Sequence, residues 1–173
     1  MLSQVPDDAQ WYSVLDLKDA FFCIPLHLDS PYLLAFEGTD LKTMINQQCT
    51  WTVLPQGFRD SPHLFARVLE KDLRELQLQG GAILQYIDDI LIHSTTKEAS
   101  EQNTTQTLNF LAERGYWISK KKAQTTKQEV SYLGYILTPG SRQLSQERIK
   151  AITELPPPAT KQQFHSFLGM AGF

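Results

Sequence analysis

Two adjacent aspartates, Asp88 and Asp89, interrupt the apolar stretch from Ala82 to Ile92. Neighbouring carboxylates raise each other's pKa and repel, so a cation between them is the natural remedy. An Asn-Gly or Asp-Gly pair would make a less costly two-residue turn, which argues that these aspartates are there for chemistry. A third carboxylate, Asp16, breaks the apolar run Trp11–Leu17 near its end. If that strand lies beside the hairpin, the three side chains converge and can hold two divalent ions about 4 Å apart, an arrangement that activates a hydroxyl and steadies a departing phosphate. Magnesium suits this supply of oxygen ligands, because it completes its shell with water and substrate phosphate. The competing reading is that Asp16 merely ends a strand and Asp88-Asp89 is a solvated turn, and carboxylate spacing alone leaves both open.

The elements that must position these groups can be read from periodicity. Trp11–Leu17 reads as a strand, and Tyr32–Phe36 and Thr50–Leu54 as further short strands beyond the aromatic-rich segment Ala20–Leu26. Ser61-Pro62 opens a helix with Leu64, Phe65, Val68, Leu69, Leu73 and Leu76 at helical spacing, closed by Gly80-Gly81. Ala82–Ile92 has the layout of a tight hairpin with the aspartate pair at its tip. Thr95 or Thr96 opens a mostly polar helix that ends at Gly115. Val130–Leu137 reads as one strand turned by Pro139-Gly140, and Ser145 caps a short helix. Pro156-Pro157-Pro158 predicts an extended linker. Thr160 and Gln163 then match a capping box before Phe164, Phe167, Leu168 and Ala171. The expected fold class is α+β, an antiparallel sheet with helices on one face.

Four motifs in this order carry a family resemblance: Val14-Leu15-Asp16-Leu17-Lys18-Asp19-Ala20-Phe21-Phe22, Leu54-Pro55-Gln56-Gly57-Phe58, Tyr86-Ile87-Asp88-Asp89 and Tyr132-Leu133-Gly134-Tyr135. The chain from about Trp11 to Phe173 resembles retroviral reverse transcriptases, most closely the murine-leukaemia-virus type and related endogenous retroviruses. The resemblance implies a polymerase palm over residues 1–155, with the fingers largely missing, and a linker with the start of a helical thumb over residues 156–173. It implies template-directed addition of deoxynucleotides to a primer 3′-hydroxyl, with Asp16, Asp88 and Asp89 as ligands of two Mg2+ ions, for which Mn2+ can substitute. Asp19 is structural on this reading. Phe21 resembles the steric gate against a ribose 2′-hydroxyl, and Gln56 and Gly57 the nucleotide-contacting turn. Tyr132, Leu133, Gly134 and Tyr135 resemble the primer grip, and Lys122 the general acid for pyrophosphate, with Lys121 its neighbour. The implied partners are an RNA or DNA template with primer, deoxynucleoside triphosphates, and the rest of a pol polyprotein.

Composition is consistent with a single domain of 173 residues and 42% hydrophobic content. The formal charge of −3 speaks against nucleic-acid binding unless part of the acidic excess is a metal cluster. Lys120, Lys121 and Lys122 form the densest basic run. Cys23 and Cys49 lack paired spacing and predict reduced thiols, and His27, His63, His93 and His165 show no ligand spacing. Asn103-Thr104-Thr105 fits a glycosylation pattern only formally. No membrane span or secretory signal is evident, so the expected location is intracellular, cytoplasmic or virion-associated rather than secreted. Two other readings compete with the polymerase. One is a catalytically silent endogenous remnant that binds nucleic acid or a polymerase partner. The other is a nuclease or cyclase on a similar fold, which leaves Phe21 and Gln56 unexplained.

Overall fold

The computed structural model describes residues 2–155 and 157–171. Pro156 of the linker and the side chain of Ala171 lie outside the described residues. The central sheet is antiparallel and runs β4 (Gly81–Tyr86), β5 (Asp89–Ser94), β1 (Trp11–Lys18) and β6 (Trp117–Ile118), with β7 (Gln124–Lys127) also paired to β1. A separate hairpin joins β2 (Ala35–Thr39) to β3 (Asn46–Thr50). A three-stranded sheet is ordered β10 (Ser141–Leu144), β9 (Tyr135–Thr138) and β8 (Val130–Tyr132).

Strand alternation separates two cores, because successive side chains point to opposite faces. Leu15, Leu17, Ile90 and Ile92 face the helices α1 (Ser61–Leu73) and α2 (Lys97–Glu113), where they meet Phe65, Leu69 and Leu111. Tyr12, Val14 and Leu91 face the other way and pack with Val130, Tyr132 and Leu137. Phe65, Leu69, Ile90 and Leu111 are each 0% exposed, and each such burial contributes roughly 1.5–3 kcal/mol. The expected sheet with both helices on one face is therefore present, with the β8–β9 hairpin covering the opposite face.

Polar side chains tie these layers. Asn103, 1% exposed, donates to Gln79 O at 3.0 Å and to Ser94 Oγ at 3.1 Å; such a buried, bonded amide is no acceptor for a glycan. Tyr116 and Arg114 both donate to Asp72, each at 2.7 Å, joining the ends of α1 and α2. Caps behave as their residue types dictate: Thr96 Oγ1 accepts from Ala99 N at 3.1 Å and opens α2. The capping box closes at α4 (Lys161–Ala171), where Gln163 N donates to Thr160 Oγ1 and Thr160 N to Gln163 Oε1, both at 3.2 Å. Ser145 Oγ accepts from Arg148 N at 3.2 Å and opens α3 (Gln146–Thr153).

Four expected elements differ, the first being the helix from Ser61, which ends at Leu73 and leaves Leu76 outside it rather than running to Gly80-Gly81. Val130–Leu137 is a hairpin rather than one strand, because Leu133 and Gly134 take left-handed φ of 51° and 77° and reverse the chain. Tyr32–Phe36 divides into a 3-10 turn over Pro31–Leu34 and the start of β2. Thr50–Leu54 is mostly irregular, since β3 ends at Thr50. The β2–β3 hairpin has largely exposed side chains, so no alternating burial fixes its register in the sequence.

Candidate active site

The position of Asp16 follows from the sheet register. β1 pairs with β5 so that Asp16 stands opposite Asp89, and Leu17 N donates to Asp88 O at 3.1 Å. Directly opposed residues in an antiparallel pair project to the same face. Asp16 shares its face with Val14 and Tyr12, and Asp89 shares its face with Leu91, so both carboxylates lie on the side covered by the β8–β9 hairpin.

The turn itself is not formed by the two aspartates. Tyr86 pairs with Asp89, which leaves Ile87 and Asp88 as the central residues and makes Asp89 the first residue of β5. Ile87 has φ of 53°, a conformation that a β-branched side chain adopts at a cost on the order of 1–3 kcal/mol. Glycine is the usual occupant of such a first turn position. Adjacent carboxylates are thereby divided between a turn and a strand.

Electrostatics distinguish the site from an ordinary turn. Burial pushes the Asp89 carboxyl above its usual range, the charges of Asp88 and Asp16 push it the same way, and Lys122 partly offsets them. Lys122 Nζ donates to Asp16 Oδ2 at 3.0 Å; this hydrogen bond, then the Asp16 charge, raises the lysine's pKa. The contact is built by the chain beyond β6. Ser119 N donates to Asp16 O at 2.9 Å, and Lys122 N donates to Ser119 O at 3.1 Å, closing a turn that returns the lysine to the carboxylate. Lys121 is exposed.

Phe21 lies in a 3-10 turn over Ala20–Cys23 and meets Phe65 edge-on, with centroids 5.7 Å apart. That turn is entered through Asp19, at φ of 53°. Pairing between Ile24 O and Leu54 N at 2.9 Å, and between Thr52 O and Leu26 N at 2.9 Å, brings the segment before Pro55 alongside the segment after Phe21. Gln56 is exposed, and Gly57 has φ of 90° with open space where a Cβ would stand, so conformation rather than crowding calls for glycine there. Tyr132 and Tyr135 flank the Leu133-Gly134 turn. Tyr132 is 2% exposed, and burial followed by the Asp89 and Tyr86 charges raises its phenol. His93, 6% exposed, is held below its ordinary pKa by burial.

Asp16, Asp89, Lys122 and Tyr132 thus form one electrostatic neighbourhood with Asp88, while Phe21 and Gln56-Gly57 are linked to each other through the Ile24–Leu54 pairing. Ile87 and Ser119 were not legible as positioning residues; an apolar residue between Tyr86 and Asp88 carries no turn signal, and a serine two residues beyond Trp117 carries no sign of its carbonyl contact.

The family model described as reverse transcriptase (RNA-dependent DNA polymerase) matches residues 3–137. The chain belongs to this reverse transcriptase family. Over 175 aligned residues it is 47% identical to the Gag-Pol polyprotein of baboon endogenous virus (strain M7) and 49% identical to that of avian reticuloendotheliosis virus. All of the chain is covered in both, but only 10% and 15% of those polyproteins. Among solved structures, the foamy viral protease-reverse transcriptase dRH in complex with ds DNA superposes with a TM-score of 0.78 at 30% identity, covering 94% of this chain and 27% of that one. The foamy viral protease-reverse transcriptase in complex with RNA/DNA hybrid gives 0.74 at 31% identity, covering 93% and 21%.

Reverse transcriptases generally use divalent metal ions. Among the described residues, no group of three or more His, Cys, Asp or Glu side chains is gathered tightly enough to hold a metal as it stands, and Asp16 is engaged by Lys122. The donor chemistry nevertheless fits: two carboxylates opposed in register and a third beside them in the turn offer hard oxygen ligands under mutual repulsion.

Proposed function

We propose that this chain is the palm of an RNA-directed DNA polymerase over residues 1–155, followed by a linker and the start of a thumb over 156–173, and that it adds deoxynucleotides to a primer 3′-hydroxyl. The observation that carries this reading is the register of Asp16 against Asp89, with Asp88 in the adjoining turn and Lys122 on Asp16. Asp16, Asp88 and Asp89 would hold two Mg2+ ions, or Mn2+ in their place. When bound, such ions lower the pKa of the attacking hydroxyl and neutralise charge on the departing pyrophosphate.

The remaining roles belong to the chain's own groups. Lys122, kept protonated by Asp16, is a proton donor for the leaving pyrophosphate. Phe21 is the steric gate against a ribose 2′-hydroxyl on this reading, and the edge-on contact with Phe65 supports it by bracing the ring. Gln56 and Gly57 offer an exposed turn to the incoming nucleotide. The Tyr132–Tyr135 hairpin presents the primer terminus beside Asp89. The foamy viral neighbours bound to ds DNA and to RNA/DNA hybrid support a primed RNA or DNA template as the partner. The relatives' names support a place within a pol polyprotein; an intracellular, cytoplasmic or virion-associated location is part of the same proposal.

Primer extension on an RNA template with Mg2+ or Mn2+ tests the reading. Extension should be abolished in Asp88→Asn while primed-template binding persists. Extension that survives the substitution would remove the mechanism, and binding without extension by the unaltered chain would instead identify a silent remnant.

A further inference from the structure

One side chain holds the Leu133-Gly134 turn from outside. Arg148 Nη1 donates to Leu133 O at 3.1 Å, and its guanidinium lies over the Tyr135 ring, 4.9 Å from the centroid. A Cβ on Gly134 would stand 3.0 Å from Arg148 Cδ, so the arginine stem approaches closely because that residue is glycine. The turn needs such support. Leu133 and Gly134 both have positive φ, the pattern of a type I′ turn, in which leucine is an unfavourable first central residue. The backbone is docked as well: Ser145 N donates to Gly134 O at 2.9 Å, and Ser145 Oγ caps Arg148 N.

Planar cation, carbonyl and ring therefore lock the hairpin in a single shape on the sheet face that carries Asp16 and Asp89. We propose that Arg148 is a positioning residue for the primer 3′ end, acting through the Leu133 carbonyl and the Tyr135 ring without touching the nucleic acid. This rests on the polymerase reading of the Tyr132–Tyr135 hairpin. Because Arg148 stands on α3, it also joins the hairpin to the helical segment that leads toward α4. A lysine at this position keeps the charge but lacks the planar fork and the stack.

The test places 2-aminopurine at the primer 3′ terminus of a primed RNA template and measures its fluorescence and the template Kd with the 173-residue chain in Mg2+, without nucleotide. Arg148→Met should leave Kd unchanged and lower the ratio of positioned to frayed termini, read from the chain-induced change in 2-aminopurine fluorescence, by about tenfold, the loss of one charge-assisted hydrogen bond with its stack. Arg148→Lys should weaken the signal likewise, and it decides the matter if the methionine variant does not fold. A full terminal signal in Arg148→Lys, a loss confined to Kd, or no terminal signal from the unaltered chain would overturn the assignment. If the unaltered chain orders the terminus but adds no nucleotide, the polymerase reading fails while the role of Arg148 stands.

Discussion

Lys122 reaches back to Asp16 and donates to its Oδ2 at 3.0 Å, so a cationic side chain already occupies one of the carboxylates proposed as a metal ligand. The ammonium and a divalent ion therefore compete for the same oxygen, although both serve the proposed reaction. The lysine is exposed and free to swing away.

Opposite effects on binding and rate follow for Lys122→Ala. Removing the competing charge should tighten Mn2+ binding, read by isothermal titration without nucleotide, by about threefold to tenfold, as expected for one nearby charge in a solvated setting. Nucleotide addition should fall by roughly 10²-fold or more, the usual loss for a missing proton donor. Unchanged metal affinity would show that the ion pair does not bear on the metal site.

The buried imidazole of His93 supplies a pH dependence separate from Asp16, Asp88 and Asp89, in which burial lowers its pKa and the Asp8 charge partly offsets the shift. Its folded pKa lies below the ordinary 6.5 because burial disfavours the charged form. The stabilising contribution is thus complete above that value. It is lost as the pH falls from 6.5 toward the depressed folded pKa, because the unfolded chain binds the proton first. Urea unfolding at pH values roughly one unit above and one unit below that of an unperturbed histidine should show the decline, and His93→Gln should flatten it. An equal slope in both proteins would assign the effect elsewhere.

Gly81 begins β4 where the strand meets β5 and α2. A Cβ there would stand 2.2 Å from His93 O and 2.8 Å from Ser94 Oγ. Since one obstacle is backbone, Gly81→Ala should destabilise by about 1–3 kcal/mol, lowering Tm by a few degrees in a chain of this size. Calorimetry showing an unchanged Tm would mean that the strand can shift without loss.

Legibility in the sequence divided along physical lines. The Trp11–Leu17 strand, the start of the helix at Ser61 and a cap at Thr95 or Thr96 were readable because burial imposed a period or because an orphan backbone donor selected a side chain, whereas the helix end at Leu73 was not. The adjacent pair Asp88-Asp89 stood out because like charges repel, but spacing alone left a solvated turn open, and only the four ordered motifs joined Asp16 to it. The β8–β9 reversal was hidden, since Leu133-Gly134 turns within an apolar run and draws its support from Arg148, remote in sequence. Asp88-Asp89 was expected to form the whole tip, and only the Tyr86–Asp89 pairing placed the bend one residue earlier. Contacts such as Lys122 with Asp16 depend on strand order, which no local pattern encodes.

The left-handed bend at Ile87 has a mechanical consequence. It acts as a vernier for the second strand: moving the reversal by a single residue would rotate Asp89 toward the helices and bring Ile90 out beside Asp16. Deletion of Ile87, or insertion of one residue beside it, would therefore leave every acidic residue in the polypeptide, yet separate Asp16 from Asp89 by the full thickness of the sheet.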